Sequence, residues 1–255
     1  MNLVFASGFL VPQRFLGINY FRGLKKHLDE QGVHQSTFPL VSSTATSQVR
    51  AQQLADAIQK AYPTGPVHII AHSMGGLDSR TLIAANINGL SDPGRIASLT
   101  TLSTPHRGSP VADLLAGPAP NDFRRVAYDA ITHLLSDFGI PTGALANLTT
   151  AAASAVPDVT QTHPHIRYRS YFASGRPGGR KTCFALLPTH HYIGEVTNQD
   201  NDGVVALESA KYGDFQQPFW QCDHVDMLGY NLDVVHLGGF DFDHFTAIDQ
   251  VISTL

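Results

Sequence analysis

The sequence predicts an α/β fold, a mostly parallel sheet flanked by helices, in a single domain over residues 1–255. Two patterns carry this expectation. Short apolar runs alternate with segments whose apolar residues recur at i, i+3 and i+4, as doubly buried strands and amphipathic helices do around a parallel sheet. Hydrophobic residues make up 43% of the 255, enough for one substantial core, yet no apolar run reaches the roughly 20 residues that span a bilayer. Charge is sparse, at 15% of residues against about 25% in an average soluble domain. With a net charge of −4 and no Lys/Arg cluster, a nucleic-acid face is excluded.

The elements follow in order. Asn2–Ala6 reads as a buried strand running into the turn Ser7-Gly8-Phe9-Leu10. Residues 20–31 read as a helix with Phe21, Leu24 and Leu28 on one face and Gly32 as its stop. Residues 35–40 read as a second strand. Residues 47–62 form a stronger helix, with Ala51, Leu54, Ala55, Ile58, Ala61 and Tyr62 at helical spacing before Pro63 and Gly65. An apolar strand at 67–71, a helix at 74–86 and a strand at 97–103 continue the alternation.

From residue 108 to 157 the alternation stops. Phe123, Val126, Ala127, Ala130, Ile131, Leu134, Leu135 and Phe138 make an amphipathic stripe, and an Ala-rich helical stretch follows at 144–155. Two helices with no strand between them read as a helical insertion over the sheet. Core packing and a lid over a substrate pocket are both open to it.

Ala71-His72-Ser73-Met74-Gly75 joins an expected strand to an expected helix. In that setting small-x-Ser-x-small is a nucleophile elbow, where small residues at −2 and +2 let strand and helix approach a serine on a sharp turn. The five-residue pattern alone arises by chance; the flanking strand and helix make it specific. Such a serine needs a base, a carboxylate to orient it, and backbone donors for an oxyanion, with acid and then His following the serine in the chain. The expected donors are the N–H of Met74, next after the serine, and of Phe9, at the end of the first strand.

Thirteen histidines make the base a real choice. Order leaves His224, His236 and His244, with Asp200, Asp202 and Asp214 as acids, and spacing does not select among them. His106, in Ser103-Thr104-Pro105-His106-Arg107-Gly108-Ser109, reads as a loop-ordering residue. His190 and His191 lack the His or Cys partners of a zinc site.

Three ordered motifs, Ala71-His72-Ser73-Met74-Gly75-Gly76, Asn201-Asp202-Gly203-Val204-Val205 and Asp223-His224-Val225-Asp226-Met227, together resemble the bacterial true (triacylglycerol) lipases of the α/β-hydrolase fold. Gly8-Phe9-Leu10, Tyr20-Phe21 and the stretch around His106 agree with them. The resemblance implies Asp202 as catalytic acid and His224 as base, 22 residues apart. Ser7 departs from it, standing where many of these lipases have His. The resemblance also implies a structural Ca²⁺ bracing the His-bearing loop through two Asp side chains, a Gln-type oxygen and carbonyls. Asp226 matches one Asp, but residues 181–185 contain no second, and Tyr230 stands at the Gln position.

The expected activity is ester hydrolysis through an acyl-enzyme on Ser73, without an organic cofactor, on hydrophobic acyl or lipid esters. Polyester (polyhydroxyalkanoate) depolymerisation, acyl transfer and non-catalytic lipid binding are the alternatives. The N-terminus lacks the basic start and apolar stretch of a signal peptide, so a cytoplasmic or mature exported protein is expected. Cys183 and Cys222 are compatible with one disulfide or two thiols.

Overall fold

In the computed structural model, which describes residues 1–9, 14–15, 18–32, 35–137, 139–175, 182–230 and 242–255, strand β1 (Asn2–Ala6) leads into a small antiparallel ribbon of β2 (Arg14–Phe15) and β3 (Ile18–Asn19). Helix α1 (Leu24–Gln31), β4 (Gln35–Thr37), α2 (Ser47–Ala61), β5 (Val67–His72), α3 (Met74–Ala84) and β6 (Ile96–Leu102) complete the first half. The second half supplies α4 (Pro110–Ala116), α5 (Arg125–Asp137), α6 (Thr150–Ser154), β7 (Arg167–Tyr171), α7 (Leu187–Thr197), α8 (Leu207–Ala210), β8 (Asp214–Phe215) and α9 (His244–Ser253). Six strands form one sheet in the order β4-β1-β5-β6-β7-β8, and every pairing is parallel.

Period-2 alternation sorts the strand residues to two covered faces. Val4, Ala6, Ile69 and Ala71 share a buried cluster with Leu54, Ala55 and Ile58 of α2 and Leu82 and Ile83 of α3. Leu3, Phe5, Ile70 and Leu102 go to the other side, with Leu24 and Leu28 of α1 and Ile248, Val251 and Ile252 of α9. Each fully buried Leu or Ile contributes about 1.5–3 kcal/mol relative to an exposed one. Strand β5 is buried along all six residues, and its C-terminal end carries Ser73.

Several elements are shorter than their patterns. The helix expected at 20–31 begins at Leu24, because Gly23 before it sits at φ 68° in the left-handed region. Tyr20 and Phe21 therefore precede the helix, both buried. The strand expected at 35–40 ends at Thr37, and Pro39 just beyond it has no N–H to give a ladder. The helix expected at 144–155 is divided at Thr149, which is extended (φ −61°, ψ 153°) and caps α6 by accepting from the Ala152 N–H at 3.3 Å. A 3₁₀ segment, Thr142–Leu148, precedes it.

Within residues 108–157 the described elements are α4, α5, the 3₁₀ segment and α6, joined by turns with no strand among them; position 138, Leu10 and His236 lie outside the described residues. The α5 stripe is wider than the face it buries: Ala127, Ile131 and Leu135 are inside, whereas Phe123 and Val126 remain 64% and 66% exposed. The inward residues join Val111, Leu114, Leu145 and Leu148 in a cluster with Phe9, Met74, Val204 and Val225. The segment thus packs on residues adjoining each of the three motifs.

Candidate active site

Ser73 links β5 to α3 with φ 54° and ψ −131°, a conformation that costs a non-glycine residue about 1–3 kcal/mol. Surrounding bonds hold it there. The Ser73 N–H donates to the Leu102 carbonyl at 3.0 Å, and the Ser73 carbonyl accepts from the Gly76 N–H at 3.1 Å and the Thr104 hydroxyl at 2.8 Å. A Cβ on Gly75 would stand 2.5 Å from the Ala6 carbonyl oxygen, so α3 can approach β1 only because position +2 is glycine. A Cβ on Gly8 would stand 2.6 Å from the Ser73 Cβ, which places the Ser7-Gly8-Phe9 turn directly against the serine.

The His224 Nε2 lies 2.9 Å from Ser73 Oγ, and its Nδ1 lies 2.7 Å from Asp202 Oδ2. The other Asp202 oxygen accepts the N–H groups of Val204 at 2.9 Å and Val205 at 2.7 Å, which fixes the carboxylate plane. The His224 N–H donates to the Asp202 carbonyl at 3.0 Å, so the two loops are joined through main chain as well. Exposure is 1% for Ser73 and 0% for both partners. In this dry setting the Asp202 carboxylate selects the Nδ1–H tautomer and leaves Nε2 as acceptor for the serine proton.

The other candidates lie elsewhere. His244 Nε2 donates to the Arg22 carbonyl at 2.9 Å, and Asp214 lies on β8 with Arg169 3.6 Å away. Asp200 is half-buried and its carbonyl accepts from the Leu207 N–H. Phe9 and Met74, the expected oxyanion donors, are buried in one cluster. Cys183 and Cys222 are buried free thiols.

The family model for the alpha/beta hydrolase fold matches residues 10–175. The chain belongs to the α/β-hydrolase fold family. It is 31% identical to triacylglycerol lipase 2 of Saccharomyces cerevisiae over 222 residues, 84% of this chain and 64% of that relative. It is 26% identical to a triacylglycerol lipase of Vibrio cholerae over 276 residues, 97% of this chain and 85% of that one. The chain thus spans just under two thirds of the yeast relative's length. Staphylococcus hyicus lipase has the same fold, with a TM-score of 0.68 at 21% identity over 99% of this chain and 94% of that structure.

Two buried groups of this α/β-hydrolase chain escape a reading of motifs. Arg50 of α2 is 0% exposed; its Nε donates to both oxygens of Asp78 on α3 at 3.1 and 2.9 Å, and Nη2 reaches Oδ2 at 2.7 Å. The same guanidinium donates to the Ser7 carbonyl at 3.1 Å and the Ser42 carbonyl at 2.5 Å. It therefore fixes the turn facing Ser73. The available signal is a cation at position 50 in register with Leu54 and Ile58 on an apolar stripe. Arg80 donates to the carbonyls of Val156 and Pro157 at 2.7 and 3.0 Å, pinning the end of the 108–157 segment to α3.

His72 and His106 are buried imidazoles whose pKa values are driven well below 6.5, first by burial and then by neighbouring His224 and Arg80 respectively. Unfolded, each takes up a proton near pH 6.5; folded, each resists until well below that. The unfolded chain then binds more protons, so stability falls as pH drops below about 6.5, by up to roughly 1.4 kcal/mol per pH unit for each group. The thermal midpoint should hold near neutrality and decline steadily between about pH 6.5 and 5. A midpoint that rises over that interval contradicts the assignment of both rings as neutral.

Around Asp226 the described carboxylates accept main-chain N–H groups. Asp226 Oδ2 accepts the Asp223 N–H at 3.1 Å, and Asp223 Oδ1 accepts the N–H groups of Val225 and Asp226, both at 2.9 Å. Asp223 Oδ2 accepts the Cys183 N–H at 2.7 Å, joining the His-bearing loop to the segment where the second ligand was expected. These carboxylates are engaged by N–H donors, whereas Ca²⁺ needs six to eight oxygens. No cluster of three metal-ligating side chains occurs among the described residues.

Proposed function

We propose that this chain is a serine ester hydrolase that cleaves hydrophobic acyl esters, lipid esters among them, through an acyl-enzyme on Ser73. The observation that carries this reading is the unbroken chain from Ser73 Oγ through His224 to Asp202, at 2.9 and 2.7 Å. His224 Nε2 takes the Ser73 proton as Oγ attacks the ester carbonyl, and Asp202 stabilises the imidazolium. The N–H groups of Phe9 and Met74 receive the oxyanion, each contributing about 3 kcal/mol to the transition state. His224 returns its proton to the leaving alcohol, and a water activated by His224 then releases the acid. None of these steps calls on an organic cofactor or a metal.

The relatives named as triacylglycerol lipases support a lipid ester as substrate. A cavity of about 290 Å³ lies beside Ser7 and Tyr20, its lining mixing Phe5, Phe21, Phe38 and Leu40 with Asn19, Lys25, Ser36 and Thr37 and not including Ser73. Ser73 is 1% exposed, so an ester reaches it only after covering side chains move. We assign that movement to the 108–157 segment acting as a cap, with exposed Phe123 and Val126 available to a lipid interface. No helix among the described residues is long and apolar enough to cross a membrane.

A p-nitrophenyl ester series from acetate to palmitate tests the substrate class. Turnover increasing on emulsified long chains fits the lipid reading, and turnover confined to short soluble esters restricts the chain to carboxylesterase work. Excess EDTA should leave both turnover and thermal midpoint unchanged; loss of either, restored by Ca²⁺, overturns the metal-free reading.

A further inference from the structure

One buried hydrogen-bonded pair is not used by the proposed chemistry, yet it adjoins both the Gly8 turn and the His224 main chain. Gly8 packs directly against the Tyr20 hydroxyl, which a Cβ at position 8 would meet at 2.6 Å. That hydroxyl lies 2.7 Å from His72 Nδ1, and His72 Nε2 lies 3.0 Å from the carbonyl oxygen of His224. Both side chains are buried.

The proton positions in this pair are dictated. A carbonyl oxygen only accepts, so His72 Nε2 carries the hydrogen. In a neutral ring Nδ1 is then the acceptor, so the Tyr20 O–H donates. The His224 peptide is consequently gripped on both sides: its N–H by the Asp202 carbonyl and its C=O by His72. The His72 and His224 rings are 4.5 Å apart, so a neutral His72 also spares the His224 imidazolium a like charge at close range. Burial keeps His72 neutral and holds the Tyr20 phenol protonated.

We infer that Tyr20 and His72 are a positioning pair that holds the Gly8-Phe9 turn and the His224 main chain in register across Ser73. The inference rests on the Ser73–His224 reading above. Neither side chain reaches Ser73 Oγ's partner nitrogen; they act through the turn that presents the oxyanion donor and through the backbone that carries the base. Tyr20→Phe leaves His72 Nδ1 without its donor and removes the hydroxyl packed on Gly8, and His72→Leu removes the link to His224. His72→Gln retains a neutral side chain with an amide donor able to reach the His224 carbonyl.

The test is steady-state hydrolysis of p-nitrophenyl butyrate by the full chain and these three variants, alongside the rate of fluorophosphonate labelling. Loss of registry appears in kcat, because small misplacements of reacting groups cost up to about 100-fold. We expect kcat to fall at least about 10-fold in Tyr20→Phe and further in His72→Leu, with KM within about twofold, and His72→Gln to recover much of the loss. Labelling rates should fall in parallel. Full kcat in both His72 variants overturns the inference, as does equal loss in Gln and Leu at unchanged thermal midpoint. If the unaltered chain neither hydrolyses esters nor labels at Ser73, the hydrolase reading itself fails.

Discussion

Replacing Ser73 by Ala should lower kcat/KM for a soluble ester by on the order of 10⁵–10⁶-fold, and His224→Ala should do nearly the same. The two losses are not additive, because serine and base act as one unit; the double variant is expected to be no slower than either single one. Asp202→Asn should cost about 10⁴-fold for a different reason. Asp202 Oδ1 already accepts two backbone N–H groups, so the Asn oxygen keeps that place and its NH₂ turns toward His224 Nδ1. The imidazole must then present its hydrogen at Nε2, facing Ser73 Oγ, where it cannot take a proton. Activity of Asp202→Asn within about tenfold of the parent would show that Asp202 does not set the tautomer.

The largest effect on stability is expected at Arg50. Asp78 and Arg50 are both buried, and removing one partner leaves the other charge without compensation, at a cost of about 3–5 kcal/mol. At about 2–4 °C per kcal/mol for a chain of this size, Arg50→Ala should lower the thermal midpoint by roughly 6–20 °C. Replacing both residues by apolar ones, Arg50→Met with Asp78→Leu, should recover part of that stability, since the desolvation of both ions is removed together. Activity should not recover with it. The carbonyls of Ser7 and Ser42 still lack their donor, and the turn facing Ser73 is no longer held. Denaturant unfolding and ester turnover on the same variants separate the two effects. A fully active double variant would remove the link between Arg50 and the turn.

What the sequence discloses depends on how local the physics is. The first hundred residues are readable because strand and helix periods alternate there, and the Ser73 turn is readable because its tight contacts demand small residues on each side. Strand β7 is hidden: Arg167 and Arg169 alternate with inward Tyr168 and Ser170, a weak apolar signal. Helix α1 is overextended in the sequence reading because Tyr20 and Phe21 continue its apolar face, and only the left-handed Gly23 separates them. Among the acids and bases, spacing alone leaves every pairing open, since Asp202 and His224 sit on loops with no period linking them. The family resemblance singled out that pair, and the structure brings its two members together. The Arg50–Asp78 and Tyr20–His72 pairs join residues 28 and 52 positions apart, and His72 reaches His224 across 152, which no local pattern encodes.

The most direct test is where covalency forms. A p-nitrophenyl alkylphosphonate should inactivate the protein with release of one nitrophenol per chain, and mass spectrometry should place the adduct on Ser73. His224→Ala should form that adduct far more slowly. An adduct on any other residue, or ester turnover that persists at the full rate in Ser73→Ala, contradicts the account.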